Sequence, residues 1–344
     1  MRTVFAAISL REKDRRWLEI DNGEDMKKVC VVYNHDSSWV HNDIDILKKH
    51  FDVYEYFYKR DKKTFDLKEI IKDVDFVFIW FASYHGLKAV RLAKKYEKKI
   101  VTVSGGYDVS TIKNYGLASN IRTRWIPKYI LKNSDIILAF SNSSKREIEA
   151  LTDTDVVVSF GVDTDSFYPG VKKEDMVLTV AYLDSVSWKR KGIDRFLELA
   201  QMFALKEKHT KFVVVGKLSN EIQGKVDGMF TKGIIPNIEF VGYVTHEELL
   251  KYYQRSKVYV QLSTHEGFCS VVAEAMLCNC IPVVSNVGSL PEVVGDKGIV
   301  VNYHTDLFDV SVMSLGMHSD GQREWILNNF SLEKREDVLL EALN

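Results

Sequence analysis

From Lys28 onward, short β-rich runs alternate with amphipathic helical stretches, and the chain passes through such a series twice. This alternation is the strongest constraint on the fold. A strand, a helix and a second strand close as a right-handed parallel unit, so the resulting sheet is covered by helices on both faces. In the first series the runs predict strands near 28–33, 52–56, 75–81, 99–103, 135–140 and 155–159, with helices near 41–50, 66–73, 85–97, 121–132 and 143–151. The segment SFGVDTDSFYPG, 159–170, interrupts the pattern with Gly, Asp and Pro and reads as a link. A second series follows, with strands near 176–182, 211–215, 238–241, 258–262, 281–285 and 298–301. At 344 residues the chain is long for one core. The expected architecture is α/β, with two Rossmann-like domains facing across a cleft. Residues 1–25 form an N-terminal extension, 26–165 the first domain, 166–320 the second and 321–344 a helical tail.

Composition narrows the function classes. The 47 basic and 48 acidic residues nearly cancel, so no overall basic field points to nucleic acid. No run approaches the roughly 20 apolar residues that span a bilayer. The opening residues have too short an apolar run, and no small-residue cleavage site, for a signal peptide. Cys30, Cys269, Cys278 and Cys280 lack zinc-type spacing and are expected to be reduced thiols in a cytoplasm.

The densest chemistry lies in THEGFCSVVAEAMLCNCIPVVSNVGSLPEVVG, Thr264 to Gly295. A strand at 258–262 runs into a polar loop ending in Glu266 and Gly267. A helix carrying Glu274 comes next, then a strand at 281–285. Gly267 permits close backbone approach, and the N–H groups of Phe268, Cys269, Ser270 and Val271 lie at a helix start, where a diphosphate meets donors and the positive dipole end. Glu274, an acceptor-only carboxylate one turn in, suits a ribose diol. Glu266 would face the sugar at the other end of the same ligand. The plainer alternative is a buried βαβ unit with two solvated carboxylates.

These glutamates, with Gly267-Phe268, Ala275-Met276, Pro282-Val283, Gly288 and Pro291-Glu292, resemble the retaining GT-B glycosyltransferases of family 4, often called glycosyl transferases group 1. Gly161, Val162, Asp163, Phe167 and Pro169 match the link of that family. The resemblance implies a nucleotide-sugar donor (UDP-, GDP- or ADP-linked), no cofactor and no metal, because cations and the helix start hold the diphosphate. It places Lys191-Gly192, in SWKRKGIDRFLELA, at the leaving diphosphate. Where the family has Gly-Arg after the preceding strand, this chain has Ala181-Tyr182 and a longer loop, leaving Arg190 or Lys189 as the partner cation. A lysine in a first helical turn opposes the dipole, which adds to its interest. Backbone groups near Gly216 and Val244 correspond to the nucleobase edge, and Thr245 with Glu248 is in capping-box register.

On the acceptor side, Gly105 and Gly106 end a strand and Asp108 could accept from a sugar hydroxyl. Relatives often carry a histidine there. His85 is the unaligned candidate, and its plainer reading is a surface helix-start residue. The family's glycine-rich first turn is replaced by NHDSSWVHND, with Asn34, Asp36, Trp39 and Asp43, and Trp39 could stack on a sugar ring. The run IRTRWIPKYILKN, 121–133, mixes cations with Trp125, Tyr129 and Ile130. It reads either as a contact with a membrane surface, at the inner face, or as a sheet-packing helix with a solvated side. The tail has helical spacing with a cap at Ser331, and the family resemblance implies that it crosses back, with Trp325, Ile326 and Phe330 packing on the first domain.

The function expected is retaining transfer of a sugar to an unidentified glycan, lipid or small-molecule acceptor. Two rivals stand beside it: a nucleotide-sugar epimerase, for which no acid/base set is evident, and a catalytically silent sugar- or lipid-binding module. A dehydrogenase is disfavoured because no GxGxxG follows the first strand.

Overall fold

The computed structural model describes residues 26–58, 64–112, 115–170, 172–206, 209–231, 237–302 and 304–343, so the expected extension at 1–25 lies outside the described residues. In the first half β1 (Lys28–Tyr33), β2 (Asp52–Phe57), β3 (Phe76–Trp80), β4 (Lys99–Ser104), β5 (Ile136–Ala139) and β6 (Val156–Val158) form a six-stranded sheet in the order β2-β1-β3-β4-β5-β6. All its pairings are parallel. Between them run α1 (Ser38–Lys48), α2 (Thr64–Asp73), α3 (Tyr84–Lys95), α4 (Trp125–Lys132) and α5 (Asn142–Glu149). β3 is buried at all five positions and β4 at five of six, as expected for strands covered on both faces.

The second half repeats the plan. β7 (Glu174–Val180), β8 (Lys211–Val215), β9 (Ile238–Gly242), β10 (Ser256–Gln261), β11 (Ile281–Ser285) and β12 (Ile299–Val301) form a parallel sheet ordered β12-β11-β10-β7-β8-β9. The helices are α6 (Ser185–Arg190), α7 (Ile193–Leu205), α8 (Asn220–Thr231), α9 (His246–Arg255), α10 (Ser270–Leu277), α11 (Leu290–Val294) and α12 (Leu307–Gly316). Strand order reverses between β1 and β3 in one sheet and between β7 and β10 in the other. Ligands of open α/β sheets bind at such switch points, outside the carboxyl ends of the strands.

Two last helices, α13 (Gln322–Phe330) and α14 (Leu332–Leu343), close the chain, and they divide the work differently from expectation. Trp325 is anchored in the second domain. Its indole donates to the Val293 carbonyl at 2.9 Å, and its ring lies over Gly295. Phe330 meets Phe268 edge-on at 5.2 Å, and α13 packs along α10 of the second domain with Ile326 fully buried. The crossing is made by α14, which Ser331 caps by accepting from the Lys334 N–H. Arg335, 1% exposed, forks onto both oxygens of Asp43 in α1 at 3.0 and 2.8 Å and donates to the Ser159 carbonyl. Asp43, expected in an acceptor loop, is thus the buried anchor of the tail. The fork satisfies both oxygens of a carboxylate that is 3% exposed.

Candidate active site

Each switch point sends two loops into a cavity of about 710 Å3 between the domains. The loop after β1 brings Asn34 and His35, and that after β3 brings Phe81 and Ser83. From the other side come Arg190 and Lys191, after β7, and Glu266 to Val271, after β10. The predicted residues Phe268, Cys269, Ser270 and Val271 therefore reach the cleft together. The N–H groups of Ser270 and Val271 open α10 and have no acceptor four residues earlier within it.

Glu266 forms the polar centre. It is 7% exposed, and its Oε1 accepts from Lys191 Nζ at 2.7 Å and from Ser263 Oγ at 2.6 Å, with Arg190 at 3.8 Å. Behind it a buried relay runs along β10, from the Tyr259 hydroxyl to Gln261 and from the Gln261 amide to Ser263, at 2.9 and 2.7 Å. Polar side chains at alternate positions of an apolar strand were the available signal for this relay, and sequence reading missed it. Among the described residues no hydrogen bond reaches Glu266 Oε2. Burial pushes this carboxyl up, but Lys191 and Arg190 outweigh it and hold it below the ordinary 4.5. For Lys191, burial acts downward and Glu266 upward, and the net position is above 10.5.

The surroundings of Lys191 differ from expectation. The lengthened loop holds α6, opened by a capping box between Asp184 and Ser187. Lys189 and Arg190 occupy its last turn and Lys191 its C-cap, where the dipole favours cations. Gly192 turns the chain at φ 68° into α7, and a Cβ there would stand 2.0 Å from the Leu262 carbonyl oxygen. Arg190 lies over the Tyr115 ring at 4.8 Å, a first-domain contact the sequence did not suggest.

Other predicted residues have different duties. Glu274 does not line this cavity; its Oε2 accepts from the Tyr253 hydroxyl at 2.9 Å, and burial raises its pKa to about 7. Gly216 donates its N–H to the Gly242 carbonyl at 2.9 Å, and a Cβ there would meet the Ala181 carbonyl, so that N–H does not read a base. Val244 is half-buried against the core at the start of α9, capped by Thr245 and Glu248. Gly267 approaches protein as well as ligand space. A Cβ would stand 2.3 Å from the Gly105 carbonyl oxygen, and the Gly267 carbonyl accepts from Ser141 Oγ at 2.8 Å. Gly105, at φ 144°, is pressed against Ser144 of its own domain, whose hydroxyl lies at 2.9 and 3.2 Å from the Gly105 and Gly267 carbonyls, so the two glycines meet where the domains join.

Asp108 is 1% exposed, and its carboxylate is occupied by its own chain. Oδ2 accepts from the Ala82 N–H at 2.9 Å and Ser104 Oγ at 2.5 Å, while Oδ1 accepts from the Gly106 N–H at 2.9 Å and the Gly105 N–H at 3.4 Å. It shapes the loop and is not a free acceptor for a sugar. His85 is buried, not at the surface, and does not line the cleft. Its Nδ1 pairs with Ser83 Oγ and its Nε2 with the Trp80 carbonyl, and burial lowers its pKa to about 4. The first-domain wall is instead aromatic: Trp39, Phe81, Phe140 and Phe160 interlock edge to face and reach Phe268 at 4.3 Å.

Residues 166–309 match the family model described as Glycosyl transferases group 1. An uncharacterized glycosyltransferase of Methanocaldococcus jannaschii is 25% identical over 232 residues, 67% of this chain and 61% of that protein. O-antigen chain mannosyltransferase B of Escherichia coli is 46% identical over 65 residues, 19% of this chain and 17% of its own length. The chain thus spans less than two thirds of these curated relatives. Among solved structures, sucrose-phosphate synthase from Thermosynechococcus elongatus superposes with a TM-score of 0.71 at 16% identity, covering 92% of this chain and 98% of its own. Anabaena HepE in complex with UDP gives 0.72 at 14% identity, covering 92% and 99%. The chain has the GT-B fold, and the match of its second domain to glycosyl transferases group 1 supports a GT-B glycosyltransferase.

Proposed function

We propose that the protein transfers a sugar from a nucleotide-diphosphate donor, held by the second domain, to an acceptor bound against the aromatic wall of the first. The observation that carries this reading is Glu266, buried at the cleft beside Lys191 and Arg190 with one oxygen uncommitted. In this reading the diphosphate rests on the opening N–H groups of α10 and on the two cations. The base lies near the strand ends at Gly216 and Val244, Glu274 takes the ribose diol and Glu266 Oε2 accepts from the donor sugar. As the bond between the anomeric carbon and the diphosphate oxygen breaks, charge grows on the departing phosphate, where Lys191 and Arg190 count most. Retention of anomeric configuration and independence of a metal follow from the family resemblance and belong to the same proposal. The UDP bound by HepE makes UDP-sugars the first donors to try. Epimerisation would need an acid and a base in the cleft, and His85 and Asp108 are both engaged by their own domain.

Thermal melts with UDP-, GDP- and ADP-sugars test the reading. One donor class should raise the melting temperature of the native protein, because a ligand that binds only the folded state stabilises it. No shift with any of the three at millimolar concentration would remove the donor site.

A further inference from the structure

Of the two cations that meet Glu266, Arg190 is the less firmly held. Its main chain is fixed, since its carbonyl accepts from the Thr264 N–H at 2.7 Å. Its head is not fixed by strong hydrogen bonds. Of the five N–H donors on a guanidinium, one is used among the described residues, from Nη1 to the His265 carbonyl at 3.4 Å, and Nε is buried without an acceptor. Glu266 Oε1 lies 3.8 Å away, and that oxygen is already engaged by Lys191 at 2.7 Å. Arg190 lines the cavity, so the acceptor that a buried open donor calls for can come from a ligand there.

Tyr115 of the first domain sets the direction of this head. The guanidinium carbon stands over the Tyr115 ring, 4.8 Å from its centre, where a cation is attracted to the aromatic face. The ring is braced in turn. Tyr107 meets it edge-on at 5.5 Å, the Tyr115 N–H donates to the Ile112 carbonyl at 2.9 Å, and the Leu117 N–H ties the following chain to the Tyr107 carbonyl at 2.8 Å. The Tyr115 hydroxyl makes no hydrogen bond among the described residues, so what it offers Arg190 is its face. The carbonyl that Arg190 reaches leans on the same domain: the His265 ring lies 5.7 Å from Tyr115, and its Nε2 is 3.0 Å from Glu147 Oε1 in α5. Lys191, by contrast, is held by Glu266 of its own domain.

A planar guanidinium recognises phosphate through two parallel bonds, so its tilt decides how well it binds. An aromatic face fixes that tilt and leaves the N–H groups free. Resting on the transfer reading above, we propose that Tyr115 is a positioning residue for the donor diphosphate, its ring holding the Arg190 guanidinium with the open donors toward the phosphate oxygens. The acceptor-side domain thereby supplies part of the leaving-group site.

Calorimetry with inorganic pyrophosphate tests the positioning on the native protein, Tyr115→Leu, Tyr115→Phe, Arg190→Ala and the double variant Tyr115→Leu/Arg190→Ala. Tyr115→Leu should raise the Kd roughly tenfold, the scale of one partly desolvated cation–π contact, whereas Tyr115→Phe, which keeps the face, should stay within about threefold of native. With Arg190 replaced, Tyr115→Leu should change the Kd by less than about twofold, since a residue that acts through Arg190 then has nothing to act on. A general loosening of the fold would weaken both backgrounds alike. The proposal is overturned by equal losses in the two backgrounds, by Tyr115→Leu binding as the native protein does, by Tyr115→Phe as weak as Tyr115→Leu, or by native protein that binds no pyrophosphate at millimolar concentration. Release of nucleoside diphosphate from UDP-, GDP- and ADP-sugars separates the two readings. Coupling on pyrophosphate with no release from any donor would contradict the transfer reading and leave the placing of Arg190 standing; release without coupling would do the reverse.

Discussion

Replacing Lys191 with Met removes the ammonium 2.7 Å from Glu266 while keeping much of the side-chain volume. Glu266, 7% exposed in the native fold, then keeps Ser263 at 2.6 Å and Arg190 at 3.8 Å as its polar neighbours at Oε1 among the described residues. Breaking a buried pair from one side costs about 3–5 kcal/mol. Glu266 lines a cavity, so water can reach it and the lower end applies, about 3 kcal/mol in urea unfolding at pH 7. Adding Glu266→Gln removes the stranded charge, and the double variant should recover at least about 1.5 kcal/mol relative to the sum of the singles. The sign with pH follows from the depressed Glu266 pKa. Its contribution is present above the ordinary 4.5 and is lost as pH falls below that value, so Lys191→Met should flatten this acid limb. Additivity of the two substitutions within about 0.5 kcal/mol would refute the coupling and the charged state assigned to the pair.

Glu274, raised by burial to about 7 from 4.5, holds a proton in the fold that the unfolded chain releases, so its burden on stability grows as pH rises from 4.5 to 7; Glu274→Gln should flatten the pH profile there. If it binds ribose as an ion, nucleotide diphosphate binding near pH 6.5 should release a proton, and calorimetry in buffers of different ionisation enthalpy showing none would remove that role. Arg335→Met should destabilise by about 3–5 kcal/mol in urea, since it strands Asp43; a loss below about 1 kcal/mol would mean that the tail is held otherwise. Gly267→Ala places a carbon 2.3 Å from the Gly105 carbonyl and should spread the domains, read as a larger radius of gyration in X-ray scattering, while an unchanged radius would show that the loop yields instead.

The strand runs were readable because parallel strands covered on both faces are nearly continuous in Val, Ile and Phe, and because Gly, Asp and Pro break the link. Glu266, Gly267 and the start of α10 were readable since their order along one βαβ unit is local. What sequence could not supply was pairing at long range. Asp43 meets Arg335 across 292 positions, and Lys191 meets Glu266 across 75. Asp108 and His85 carry functional side chains, yet nothing in the sequence indicates that their hydrogen bonds are already taken. Lys191-Gly192 does precede α7, with Gly192 as its cap, but α6 ahead of it was missed because six residues are too few to show a period. The tail misled for a related reason: α13 and α14 both read as helical, and only packing shows that α14 carries the buried pair to α1.

The central claim is that this cleft breaks the bond between a sugar and a nucleoside diphosphate. Release of nucleoside diphosphate from UDP-, GDP- and ADP-sugars, measured in the presence of total membrane lipid and of soluble glycans as acceptors, tests it most directly. Native protein should release it from one donor class, and Lys191→Ala should lower the turnover by roughly 10²–10³, the scale for removing one preorganised donor. Release that is absent with every donor and acceptor, or undiminished in Lys191→Ala, would contradict the account.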